Sequence, residues 1–207
     1  MSYTLGTHDI AAGFVDPPHE SQRVFRGVLD AFSHPGRIVT VDDAPAPPGG
    51  LCCATAAFLL TLIDRDTPLW LAPEFDTPEV CDFVRFHTGA PIVGGRAEAT
   101  FAVQAHDQPL LFDSFNIGTD TYPDRSATLL IEVPVLGAGP VRTWRGPGIE
   151  GSTSVSVAGL GDGFWLDWAT NRSLLPRGVD VVFAAGSQLL ALPRGIAVEI
   201  NGEFELN

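Results

Sequence analysis

Two short stretches hold the polar side chains best spaced for chemistry: Arg85-Phe86-His87-Thr88 and Tyr122-Pro123-Asp124-Arg125. A guanidinium is a planar fork of N–H donors that matches two oxygens of a phosphate, phosphonate or carboxylate. Arg85 and Arg125 therefore have two uses. One is to grip an oxyanion ligand; the other, more ordinary, is to pair with Asp124 or with a carboxylate of another protein. His87 falls on the apolar side of the helix its neighbours predict, the usual place of a satisfied core or capping histidine. Cys52-Cys53 opens a second predicted helix. A helix N-terminus would favour a thiolate there. Cysteine is also among the most buried residue types, so small apolar packing is the expectation.

Other patterns resolve to simpler readings. Asp64-x-Asp66 has the spacing of a phosphoaspartyl nucleophile or a pair of metal carboxylates, yet it ends a predicted helix and no lysine follows it. A solvated turn, with Asp64 or Asp66 bonding the backbone, is expected. Residues 146–151 (GPGIEG) fit G-x-G-x-x-G. A dinucleotide turn must open a helix, and a Ser/Thr/Val run follows here, so a glycine-rich turn is expected. His8, His19, His34 and His106 are scattered, without H-x-x-x-H or H-x-E spacing for zinc. No G-x-S-x-G elbow occurs. The three cysteines are an odd number without C-x-x-C spacing, which indicates neither a disulfide framework nor a thiolate zinc site. These residues compose no catalytic site and no metal site.

Charge narrows the classes further. The net charge is −13, and all 12 cationic side chains are arginine. So acidic a surface repels phosphate backbones, which argues against nucleic acid as a partner. Without lysine, no pyridoxal-phosphate Schiff base can form on a side chain. The phosphate loop G-x-x-x-x-G-K-[ST] and the protein-kinase strand lysine are excluded as well. With 45% hydrophobic and 18% charged residues over 207 positions, one sizeable globular domain at 16–207, with an arm at 1–15, is expected. The longest apolar run, 51–63, is too short to span a membrane. No basic-then-apolar N-terminus suggests a signal peptide, so the expected location is the cytoplasm.

The positioning elements follow from the pattern. Residues 51–63 predict an apolar helix covered on several sides, ended by Asp64–Pro68; Leu69-Trp70-Leu71 predicts a strand. Thr77-Pro78-Glu79 predicts a capped helix start, with Val80, Phe83, Val84 and His87 on one face and Gly89 and Pro91 as the stop. Trp70 and Phe83 should be buried. Upstream, Asp16-Pro17-Pro18 starts a helix with Phe25, Val28, Leu29 and Phe32 on one face. Strands are expected at 37–41, 92–93, 100–105, 127–135, 141–145, 152–157, 179–184, 188–192 and 197–200, and helices at 107–116 and 164–175. Within 127–135, Leu129-Leu130-Ile131 suits a strand covered on both faces. The architecture implied is α/β, a mixed sheet with helices on its faces.

Phe25-Arg26, Leu29, Ala31, Ser33 and Pro35-Gly36 precede LLTLIDRDTPLWL (59–71), RFHTGAP (85–91) and ATFAV (99–103). GTDTYPDRSATLLIEV (118–133), GPGI (146–149) and PRGVDVVFAAGSQLLALPR (176–194) continue the order. This ordered set resembles the PhnH subunit family of the bacterial carbon–phosphorus lyase system, from residue 18 to 200. The resemblance implies a three-layer αβα fold related to pyridoxal-phosphate-dependent transferases but without that cofactor, in agreement with the missing lysine. It implies a homodimer in a core complex with PhnG, PhnI and PhnJ. That system joins an alkylphosphonate to the ribose of ATP with release of adenine, before a radical subunit breaks the carbon–phosphorus bond. The family offers no catalytic residue to carry over. Three readings remain: a non-catalytic subunit, a phosphonate- or nucleotide-binding module using Arg85 or Arg125, and a thiol-dependent enzyme using Cys52 or Cys53. Arg85, His87, Tyr122, Asp124 and Arg125 are the candidate ligand or interface residues.

Overall fold

An apolar helix without a polar face has to be covered all round, and the chain is arranged to do that. The computed structural model describes residues 10–42, 44–108 and 110–200, with the backbone of 203–204. Its helices are α1 (Pro17–Ser33), α2 (Cys53–Leu62), α3 (Pro78–Thr88) and α4 (Asp162–Ser173). Its strands are β1 (Val39–Thr40), β2 (Leu69–Leu71), β3 (Phe101–Ala105), β4 (Thr128–Glu132), β5 (Leu136–Arg145) and β6 (Thr153–Val157). The last four are β7 (Asp180–Ala185), β8 (Gln188–Leu192), β9 (Ala197–Ile200) and β10 (Glu203–Phe204). No described helix is long and apolar enough to cross a membrane.

Six strands form a mixed sheet in the order β1-β8-β7-β4-β3-β2. β2, β3, β4 and β7 run parallel, and β8 and β1 close one side antiparallel. Leu129, Leu130 and Ile131 of β4 are all buried, as a strand covered on both faces requires. The α2 residues Ala54 to Leu59 are buried between the sheet, α1 and α3. Phe58 meets Phe101 of β3 edge-on at 5.6 Å. On the other face, Phe183 of β7 meets Phe164 and Trp165 of α4 at 5.7 and 6.5 Å. A second, antiparallel sheet, β10-β9-β5-β6, lies beside α4. There Trp168 Nε1 donates to the Ile196 carbonyl at 2.9 Å. The second covering layer is thus a helix plus a small sheet rather than helices alone.

Local chemistry explains the turns. Thr77 Oγ1 accepts from Val80 N, and Gly89 ends α3 at φ +71°. Asp64 Oδ1 accepts from Asp66 N at 2.9 Å and from Thr67 Oγ1 at 2.7 Å, the expected solvated turn. The 146–151 stretch turns between β5 and β6 and opens no helix. A Cβ on Gly148 (φ +84°) would stand 2.4 Å from the Ser33 carbonyl oxygen, so only glycine passes the end of α1 here.

Trp70 and Phe83 are buried as expected. The α1 face differs. Val24, Val28 and Ala31 point inward, while Phe25 and Leu29 stay 44% and 49% exposed and Phe32 is half-buried. The smaller side chains allow closer approach to α2, so packing selects them. Among the described residues of 107–116, the short 3₁₀ turn Phe112–Ser114 stands in place of the expected helix. Only backbone pairing at 92 stands where a strand was expected at 92–93, as a single bridge to Leu69. Of the arm, Ala11 and Phe14 pack against the core; residues 1–9 lie outside the described residues.

Candidate functional site

The capped start of α3 sets its rotation. With Val80, Phe83 and Val84 turned into the core, His87 follows on the same face one turn later, half-buried. His87 Nε2 lies 2.9 Å from the Ala11 carbonyl, to which its N–H donates. Its ring meets Phe83 at 4.7 Å and Phe86 at 5.0 Å, edge-on. A Cβ on Gly13 would come within 2.9 Å of that ring. His87 thus fastens residues 11–13 to α3. Beside it, Arg85 is exposed and its guanidinium makes no hydrogen bond or ion pair among the described residues, and Phe86 is 69% exposed.

The second candidate group forms a turn leading into β4. Asn116 Oδ1 accepts from Gly118 N, and Asn116 Nδ2 donates to the Arg125 carbonyl, each at 2.9 Å. Thr119 Oγ1 accepts from Tyr122 N at 3.0 Å. Arg125 lies over the Tyr122 ring, 4.2 Å from its centroid, and makes no ion pair with Asp124. In the tight turn Pro123–Arg125, residues three apart share a side and adjacent ones diverge. Tyr122, Asp124 and Arg125 are all exposed. Among the described residues no hydrogen bond, ion pair or ring contact joins this group to Arg85 or His87.

What anchors the turn is a pair that sequence reasoning missed. Asp180, opening β7, accepts from Arg194 N at 2.7 Å and Arg194 Nε at 3.1 Å, and its second oxygen pairs with the Arg194 Nη2. The same guanidinium donates to the Pro123 carbonyl at 2.8 Å and to Ser126 Oγ at 2.5 Å. The Arg194 and Asp180 side chains are only 16% and 19% exposed. The available signal was charge at the outer ends of two otherwise apolar hairpin strands.

Ligands of open α/β sheets bind beyond the carboxyl ends of the parallel strands, often with an anion at a helix N-terminus. Here Glu132, the last residue of β4, accepts from Cys52 N at 2.7 Å and so occupies the start of α2. Ala54 N donates to the Gly186 carbonyl at 2.8 Å, and Glu74 Oε1 accepts from Ala105 N at 3.0 Å. The chain's own groups fill this edge. Burial, and then the neighbouring Glu132 charge, push the Cys52 thiol up to about 11. Cys81 is also pushed up to about 11, by burial and by donating to Asp76 Oδ1 at 3.1 Å. Both remain protonated near neutrality, the opposite of an activated nucleophile.

The chain's relatives agree with one another. The family model described as "Bacterial phosphonate metabolism protein (PhnH)" matches residues 12–199. A protein of Rhizobium meliloti (strain 1021), "Alpha-D-ribose 1-methylphosphonate 5-triphosphate synthase subunit PhnH", is 41% identical over 190 residues, covering 91% of this chain and 95% of that protein. The "Putative C-P lyase subunit protein HtxG" of Stutzerimonas stutzeri is 29% identical over 181 residues, 87% of each chain. With the family match running from the end of the arm to β9, this chain belongs to the PhnH family of bacterial phosphonate metabolism proteins.

Proposed function

We propose that this chain is a non-catalytic accessory subunit of the carbon–phosphorus lyase core complex. It serves the step that joins an alkylphosphonate to the ribose of ATP with release of adenine. The observation that carries this reading is the 41% identity, along 91% of the chain, to a protein named as a subunit of that synthase. The accessory part is supported by the carboxyl edge of the sheet, where Glu132 takes the place an anionic ligand would need. The partners are a second copy, as a homodimer, and the PhnG, PhnI and PhnJ subunits, in the cytoplasm. Residues 16–207 act as one layered α/β domain related to pyridoxal-phosphate-dependent transferases, with a helix and a small sheet as its second covering layer and 1–15 as its arm. The domain uses no cofactor of its own, and with no lysine in the chain no side chain can hold pyridoxal phosphate as an aldimine.

In this role Arg85 and Arg125 are exposed forks for a partner's carboxylate, His87 holds the arm against α3, and Tyr122 and Asp124 complete the turn face. A second reading, a phosphonate- or nucleotide-binding module, is favoured by Arg85, whose guanidinium makes no ion pair among the described residues. The test is purification of the tagged chain together with co-expressed synthase subunits. Fixed-ratio co-purification is expected, with adenine released by the assembly and not by the chain alone. Adenine release by the isolated chain would overturn the accessory role. Saturable binding of methylphosphonate or ATP that Arg85→Ala abolishes would favour the second reading.

A further inference from the structure

We infer that the outward face of α1 is the docking surface for another subunit of the synthase, one presenting an apolar patch bordered by carboxylates. This rests on the proposed role as a synthase subunit. α1 is apolar on two sides: Val24, Val28 and Ala31 bury the inner one, while Phe25 and Leu29 stand one turn apart on the outer one, 44% and 49% exposed. A one-turn pair of large apolar anchors on a regular helix is the arrangement that seats in a partner's groove. Among the described residues, nothing covers the exposed part of that pair.

Charge selects the occupant. Arg26 is exposed and flanks the pair, in a chain of net charge −13. The nearby carboxylates are occupied by the residues that flank α1: Glu20 accepts from Val15 N and Asp16 N, and Asp30 from His34 and Arg37. The face is therefore apolar with a cationic border, and it complements an apolar surface with an acidic one. A second copy fits poorly. In a twofold antiparallel pairing centred on Phe25 and Leu29, the two Arg26 side chains meet on the same flank beside the axis, as like charges.

The experiment co-expresses the remaining synthase subunits with the wild-type chain, with Phe25→Ser/Leu29→Ser, and with Arg26→Glu. It measures affinity for the remaining subunits, and the melting temperature and oligomeric state of each chain alone. The wild type should assemble. The double variant should keep its melting temperature and oligomeric state but bind more than about tenfold more weakly, as loss of central anchors does. Arg26→Glu should also weaken binding, and Arg26→Lys should restore most of it. Wild-type affinity in both the double variant and Arg26→Glu would overturn the docking surface and leave the subunit role standing. Failure of the wild type to assemble would overturn the subunit role as well. A variant that turns a dimer into a monomer while still binding the other subunits would assign the face to a second copy and overturn the inference. If the double variant melts early, Arg26→Glu decides.

Discussion

The two edges of the central sheet use charge in opposite ways. At the carboxyl edge, Glu132 is spent on the chain's own helix, accepting from Cys52 N at the end of α2 where an anionic ligand would bind. At the amino edge, Arg194 and Asp180 sit under the surface and hold the turn that displays Tyr122 and Arg125 outward. The edge where this class of sheet binds ligands carries the chain's own carboxylates on backbone N–H groups, and the opposite edge presents a shaped, polar surface. That contrast is what an accessory subunit needs.

Both edges hang on the same parallel strands, so the largest effect comes from their shared core. Trp70→Ala removes a buried ring that packs edge-on against Phe115 at 5.6 Å, and should cost about 3–5 kcal/mol. An unchanged denaturant midpoint would mean that β2 does not support the edges. Asp180→Ala comes next, leaving Arg194 without its counter-charge. Breaking a buried pair costs roughly 3–5 kcal/mol, and slight exposure with two remaining acceptors should bring this to about 2–3 kcal/mol. Hydrogen exchange should accelerate at 118–126 and stay unchanged at Cys52; equal loosening of both edges would dissolve the contrast.

Glu132→Ala removes the α2 cap and should cost about 0.5–2 kcal/mol. Glu132→Gln should lower the Cys52 pKa from about 11, because the charge that helps raise it is gone. The rate of thiol alkylation against pH reads this directly. In the wild type, an unfolded cysteine ionises near 8.5, whereas folded Cys52 and Cys81 hold their protons to about 11. The folded state then binds more protons across that interval, so stability is full below about 8.5 and is lost as pH rises towards about 11. Cys52→Ser/Cys81→Ser should flatten the alkaline limb of stability, and an unchanged limb would assign it to other groups. The smallest effect is expected at Arg125→Ala, within about 0.5 kcal/mol of wild type, since the residue is exposed. A larger loss would make Arg125 part of the scaffold instead of the displayed surface.

How much could be read in advance depended on distance along the chain. The α3 cap, the Gly89 stop, the Asp64 turn and the buried β4 run all depend on neighbours within a few positions, and each was legible. Glu132 meets Cys52 across 80 residues, and Arg194 reaches Pro123 and Ser126 across 71 and 68. No local pattern encodes such pairings. On α1, residues 24, 28 and 31 and residues 25, 29 and 32 have identical helical spacing. Periodicity identified a helix but could not choose its inward stripe, because the partner helix makes that choice. The Tyr122–Arg125 turn was legible as a polar segment, while its stacking, in place of an Arg125–Asp124 pair, followed from the local 3₁₀ geometry.

The central claim is that this chain contributes surfaces and not reacting groups. The most direct test assembles the complete synthase with Cys52→Ser, Arg85→Ala, His87→Ala or Arg125→Ala chains and follows adenine release from ATP and methylphosphonate. Once each complex is shown to be fully assembled, turnover within a few-fold of wild type is predicted, with any loss appearing in assembly or melting temperature. A fall of several orders of magnitude in any one variant, in an intact and stable complex, would show that the chain supplies a catalytic group and would contradict the account.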